Sequence, residues 1–180
     1  MSATDTLDRP AAAPAPAPGP GVAHHHRTAD PALAALVVAE AALLDEWRLE
    51  EWIAMYAPVC AYWVPTEWDQ ADPHATVSHI YDDRRLLETR VRRFRHAMFH
   101  AQKPPSRTTR LCANLRAGPA PLSTLCAYEV AEFRNGRHRR YVGRCRHDFE
   151  ADGRGGFLIA RKRFDLVDCD AVQDGISIIL

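Results

Sequence analysis

The turn Asn135-Gly136 and the run behind it, Arg137-His138-Arg139-Arg140-Tyr141-Val142-Gly143-Arg144-Cys145-Arg146-His147-Asp148-Phe149-Glu150, decide the fold. Asn-Gly between two apolar runs is the strongest short-range hairpin signal, because both residues tolerate the positive φ of a tight turn. Behind it Tyr141, Gly143, Cys145, His147 and Phe149 share one face, while Val142, Arg144, Arg146 and Asp148 share the other. That two-residue period marks a strand with one face turned to a core.

Working outward, segments near 108–117, 122–134, 138–150, 156–168 and 175–180 read as strands. Gly118-Pro119, Asn135-Gly136, the run Gly153 to Gly156, and Asp174-Gly175 bound them. Upstream the period changes. Asp30-Pro31 supplies an N-cap and a first-turn proline, and Leu33, Leu36, Val37, Glu40, Leu43, Leu44 and Trp47 recur at helical spacing. A second helical stretch runs from Leu49 to Ala57 and ends at Pro58. Glu40, Asp45, Glu46, Glu50 and Glu51 give these helices an acidic outer face. Cys60-Ala-Tyr-Trp-Val64, closed by Pro65, reads as a strand, and a polar loop follows. Asp82-Asp83 then caps a helix over 84–101, with Leu87, Val91, Phe94 and Met98 on its apolar stripe and six arginines on its other faces. Trp47, Trp52 and Trp63 fall on apolar faces and are expected in the core. Helices first and antiparallel strands after make an α+β domain whose sheet curls around the helices.

A chain of 180 residues fits one domain, which we place at 28–180 behind an Ala/Pro-rich tail over 1–27 that carries His24, His25 and His26. The 23 basic and 23 acidic residues cancel, which argues against nucleic acid or an anionic membrane as partner. All the basic residues except Lys103 and Lys162 are arginine. Cys60, Cys112, Cys126, Cys145 and Cys169 form no C-x-x-C pair, so buried free thiols in a reducing cytoplasm are expected. Neither a signal peptide nor an apolar run of membrane-spanning length is visible, and a soluble, cytoplasmic protein is expected.

No complete catalytic or metal-ligating motif appears. Cys145-Arg-His147 is half of a Rieske ligand set, but no other cysteine has a histidine three positions on. His74 and His79, with Asp72 or Glu67 nearby, lie in a loop, and the position three before His74 is Ala71 rather than a carboxylate. His96 and His100 have helical i, i+4 spacing, yet Ala97 stands where a zinc protease has glutamate. Structural histidines are the expectation for both pairs.

Several stretches in order resemble the small (β) subunits of Rieske-type aromatic-ring-hydroxylating dioxygenases. They are Leu43-Leu44-Asp45 to Trp52; Tyr62-Trp63-Val64-Pro65; Ile80-Tyr81-Asp82-Asp83-Arg84 with Leu86, Leu87 and Arg90; Pro104-Pro105-Ser106-Arg107-Thr108; Asn114; Ile159-Ala160-Arg161-Lys162-Arg163; and Ile176-Ser177-Ile178. The resemblance runs through nearly all of 36–180. It departs at Gly175-Ile176-Ser177, where the family has Asn-Leu-Ser, and in the longer tail. It implies the NTF2-like cone, with N-terminal helices packed in a strongly curved, mainly antiparallel mixed sheet. It also implies a trimer of this chain beneath three large α subunits, which carry the Rieske [2Fe–2S] cluster and a mononuclear iron(II). This chain would then hold no cofactor and no catalytic residue. Asp82, Asp83, Arg84, Arg90, Arg107, Ile176 and Ile178 are expected at or near subunit contacts, with intrachain salt bridges the other reading for the charged ones. The competing reading is a stand-alone dehydratase or isomerase of the same fold, using His147, Tyr141, Tyr56 or His79 inside the cone as acid or base.

Overall fold

Asp30 starts the first helix as expected: its carboxylate accepts from the Ala32 and Leu33 amides, and Pro31 opens helix α1, Pro31–Asp45. The computed structural model describes residues 27–96, 102–173 and 175–180. The histidine-bearing part of the tail, Met98 and His100 lie outside them.

Helix α2, Leu49–Ala54, stops earlier than the sequence suggests, because strand β1 begins at Tyr56 and carries Pro58 within it as part of Tyr56–Pro65. Strand β2, Ser78–Asp83, occupies the end of the expected loop. Helix α3, Arg84–Arg95, follows it directly. Asp83 is its N-cap and accepts from the Leu86 amide at 2.8 Å, whereas Asp82 belongs to the strand. Strands β3, Arg107–Ala117, β4, Ser123–Arg134, β5, Arg137–Ala151, and β6, Phe157–Leu166, fall where the sequence places them. The segment 175–180 forms no strand. Its Ile178, Ile179 and Leu180 are buried, but its carbonyls bond side chains instead of a ladder: Ile179 accepts from Arg110 and Leu180 from the Tyr62 hydroxyl.

Among the described residues six strands form one sheet, ordered β2–β1–β6–β5–β4–β3. Only β1 and β6 run parallel; every other neighbour is antiparallel. The register slips within β1, β3 and β5, and such bulges bend strands and raise local twist. Asn135 and Gly136, at φ 51° and 74°, make the tight β4–β5 turn. Along β5 the residues from Tyr141 to Phe149 alternate between buried and half-buried, as the two-residue period requires. The buried face meets α1, which packs chiefly on β3, and the core draws on Leu33, Val37, Trp52, Tyr62, Val130, Phe164 and Ile178. Of the three tryptophans expected in the core, Trp52 and Trp63 are buried. Trp47 is half-buried against Phe94, and Trp63 is buried on the opposite face of β1 beneath Arg163.

Candidate functional site

Inside the curved sheet lies a cluster of ionisable groups that the sequence pattern does not announce. Glu40 points inward from α1 with a relative accessibility of 0%, correcting its expected place on an acidic outer face. An ionised carboxylate offers about four acceptor positions, and here four side chains donate to it. Trp52 Nε1–H and the Tyr56 hydroxyl reach Oε1 at 3.1 and 2.8 Å. His147 Nε2 reaches Oε2 at 2.9 Å, and Lys162 Nζ reaches both oxygens at 3.1 and 3.0 Å. A carboxylate can only accept, so the His147 hydrogen must sit on Nε2. The ammonium of Lys162 also stands 5.1 Å from the Tyr128 ring centroid and 5.8 Å from that of Tyr62, in cation–π contact.

Two helices and three strands assemble this set, with Trp52 from α2 and Tyr56 from β1. α1 presents Glu40 on the stripe of Leu33, Val37 and Leu44. β5 presents His147 between Cys145 and Phe149, and β6 presents Lys162 beside Phe164. Burial drives the Glu40 carboxyl upward, but Lys162 and His147 outweigh it and hold the group well below the usual carboxylate range. Burial drives Lys162 downward, and Glu40 reverses that, leaving it above the usual lysine range. Burial and the Glu40 charge both push the Tyr56 hydroxyl well above the normal tyrosine value. The cluster is therefore a locked ion pair ringed by the Trp52, Tyr56 and His147 donors. A working acid or base exchanges protons near neutrality, and neither charge of this pair does. His147, Lys162, Trp52 and Glu40 are all 0% accessible and Tyr56 1%, so no substrate reaches them in this conformation.

The half ligand set also lies here. Cys145 and His147 are side by side with sulfur and ring nitrogens 3.9 Å apart, but His147 Nε2 is committed to Glu40. A Rieske cluster needs two cysteines and two histidines, a donor set that the described residues do not bring together here. Among the described residues no three His, Cys, Asp or Glu side chains converge as a metal site. His74 instead meets the edge of the Tyr81 ring, and His79 hydrogen-bonds the Cys169 carbonyl at 2.8 Å. Tyr141 is buried and donates to Glu132.

Of the residues expected at contacts, three form ion pairs within this chain. Arg90 pairs with Asp82 at 2.6 Å, and Arg84 with Glu88 at 2.9 Å and with the Tyr56 carbonyl at 2.6 Å. Asp83 is exposed beside them. Arg107 is exposed and lies over the Phe133 ring. Ile176 is half-buried, and Ile178, 1% accessible, belongs to the core. Asp45, expected to face outward, is bound by Thr108, the Arg110 amide and the Arg110 guanidinium.

The family model described as "Ring hydroxylating beta subunit" matches residues 39–173. The small oxygenase component of the p-cumate 2,3-dioxygenase system of Pseudomonas putida is 34% identical over 113 residues, 60% of this chain and 63% of that protein. The 2-halobenzoate 1,2-dioxygenase small subunit of Burkholderia cepacia is 40% identical over 89 residues, 46% of this chain and 53% of that one. The chain thus spans 53–63% of the length of these curated relatives. The solved beta subunit of the benzoate 1,2-dioxygenase from Burkholderia mallei superposes with a TM-score of 0.66 at 25% identity, over 85% of this chain and 99% of that one. The fold is the NTF2-like one expected from the sequence.

Proposed function

The chain belongs to the ring-hydroxylating beta subunit family, and on that premise we propose that it is the non-catalytic small subunit of a multicomponent dioxygenase that dihydroxylates an aromatic compound for catabolism. Its partner is the large α subunit, which supplies the Rieske [2Fe–2S] cluster and the mononuclear iron(II). Three copies of each make the complex, with this chain self-associating as a trimer in the cytoplasm. The domain is 28–180, and the tail over 1–27 lies outside it. No helix among the described residues is long and apolar enough to cross a membrane.

The observation that carries this reading is the filled interior. The place where an enzyme of this fold would keep its acid or base is occupied by a satisfied ion pair that solvent does not touch. Such a network fixes packing and cannot turn over. Contacts with neighbouring subunits are assigned to the β2–α3 junction, where Asp83, Arg84 and Arg90 reach the surface above Asp82, and to Arg107 and Ile176 elsewhere. Ile178 supports that surface from within.

The test is iron content and colour of the purified full chain alone. The expected preparation is colourless, holds far less than one iron per chain, and leaves cyclic substrates unchanged. Iron–sulfur absorbance from this chain alone, or dehydration or isomerisation by it, overturns the proposal.

A further inference from the structure

Two of the exposed patches lie at opposite ends of the β1–β2 hairpin. The first is built from the loops 66–77 and 167–173. β1 and β6 are parallel neighbours, so both loops leave the sheet at one end. Arg163, at the root of one loop, donates to the Gln70 carbonyl of the other at 2.6 Å, and His79 bonds Cys169. This end exposes Val77 at 78%, Val167 at 61% and Val172 at 102%, and Trp68, over whose ring lies the Arg144 guanidinium paired with Asp69. Between them Glu67, Asp168 and Asp170 are exposed, and no ion pair among the described residues uses them. Clustered apolar side chains rimmed by like charges mark a contact surface for a protein of opposite charge.

The second patch has that opposite charge. On α3, Arg85 and Arg92 lie seven residues apart on the outward face. Arg85 forms no ion pair among the described residues, and Arg92 bonds only the neutral Thr89 hydroxyl. Leu86 at 38% is exposed beside them on α3. The two patches lie apart on one molecule: Ser78 to Asp83 is about 16 Å of strand at about 3.3 Å per residue, and α3 runs on toward α2, where Arg95 pairs with Glu50.

We propose that the acidic, apolar loop end binds the arginine face of α3 on a second copy of this chain. This rests on the small-subunit reading and names the surfaces of its self-contact. The charge complementarity is present on one chain, which favours a second copy over any other basic protein. A contact between two different patches is heterologous, and it closes into a ring when its rotation allows. Arg85 and Leu86 directly follow the β2–α3 junction assigned above to subunit contacts.

The experiment is native mass measurement of the full chain over a range of salt, with charge-reversed variants. Wild type is expected to self-associate, less so at high salt. Asp168→Arg/Asp170→Arg and Arg85→Glu/Arg92→Glu should each weaken self-association at least about tenfold. A mixture of the two variants should associate again, and so should a chain carrying all four reversals. Unchanged association in either variant overturns the proposal, as does a mixture that fails to associate although both variants melt like wild type. Pull-down of the large subunit by the same proteins separates the two readings. A wild-type chain that binds the large subunit yet stays monomeric refutes this contact alone; one that does neither refutes both.

Discussion

Glu40 is the only charged residue between Pro31 and Leu44, and it faces the core. The helical period puts it on the stripe of Leu33, Val37 and Leu44, while its charge argues for solvent. That conflict is settled only by Lys162, 122 residues away in sequence, which no local pattern connects to it. The readable half of the signal is one carboxylate in an apolar helix, and one of two lysines in an arginine-rich chain on a strand face with Phe164. Removing one member of a buried pair strands the other, which costs about 3–5 kcal/mol, whereas replacing both by apolar groups of similar volume is close to neutral. Glu40→Gln should therefore lower unfolding stability by about that amount in urea, and Glu40→Leu/Lys162→Met should recover only part of it, because the buried Trp52, Tyr56 and His147 donors lose their acceptor. If Glu40→Gln melts like wild type, the pair is not the lock described here. The pH dependence has a definite sign. The folded Glu40 value is depressed, so its contribution is present above the unfolded value of about 4.3 and is lost as pH falls further. The folded Lys162 value is raised, so its contribution is full below about 10.4 and is lost as pH rises further. The stability difference between wild type and the apolar double variant should fall below about pH 4 and above about pH 10. A difference that stays constant through both ends would contradict it.

At the scale of elements, what has a period or a turn signal is legible and what relies on pairing is not. The Asn135-Gly136 hairpin and the alternation along β5 follow from side-chain geometry alone, as does the Asp83 cap. β2 escapes because five of its six residues are polar or aromatic and only Ile80 is a buried aliphatic; its existence depends on β1 alongside. The segment 175–180 misleads in the other direction. Its isoleucines suit a strand, but they pack while Arg110 and Tyr62 take up the backbone. Two substitutions test these elements. At Gly143 an added Cβ would collide with the Asp165 backbone of β6, and neither strand can yield without breaking the ladder. Gly143→Ala should destabilise by about 1–3 kcal/mol or prevent folding, and an unchanged denaturation midpoint would mean β5 and β6 are not so close. Asp83→Ala removes the α3 cap and should cost about 1 kcal/mol, with Asp83→Asn or Asp83→Ser restoring most of it; equal loss in all three would show that the residue acts otherwise than as a cap.

For the whole molecule, the order of short motifs along the chain reveals the fold and family, because those motifs sit at turns, caps and core faces that the backbone needs. Contact surfaces carry no such period. Arg84 and Arg90 look alike in sequence to Arg85 and Arg92, yet the first two hold Glu88 and Asp82 while the second two face outward. Only placement in three dimensions separates them. The same holds for the interior, where Cys145 and His147 resemble part of a cofactor site until His147 is seen bound to Glu40. A domain with a sealed interior and a charge-divided surface is built to be held against neighbours. The most direct test is native mass measurement of this chain co-expressed with its large subunit, with iron counted per complex. The account predicts one complex containing both chains in equal number, three of each, with all the iron following the large subunit. Recovery of the two chains as separate species, or iron that stays with this chain when they are parted, would contradict it.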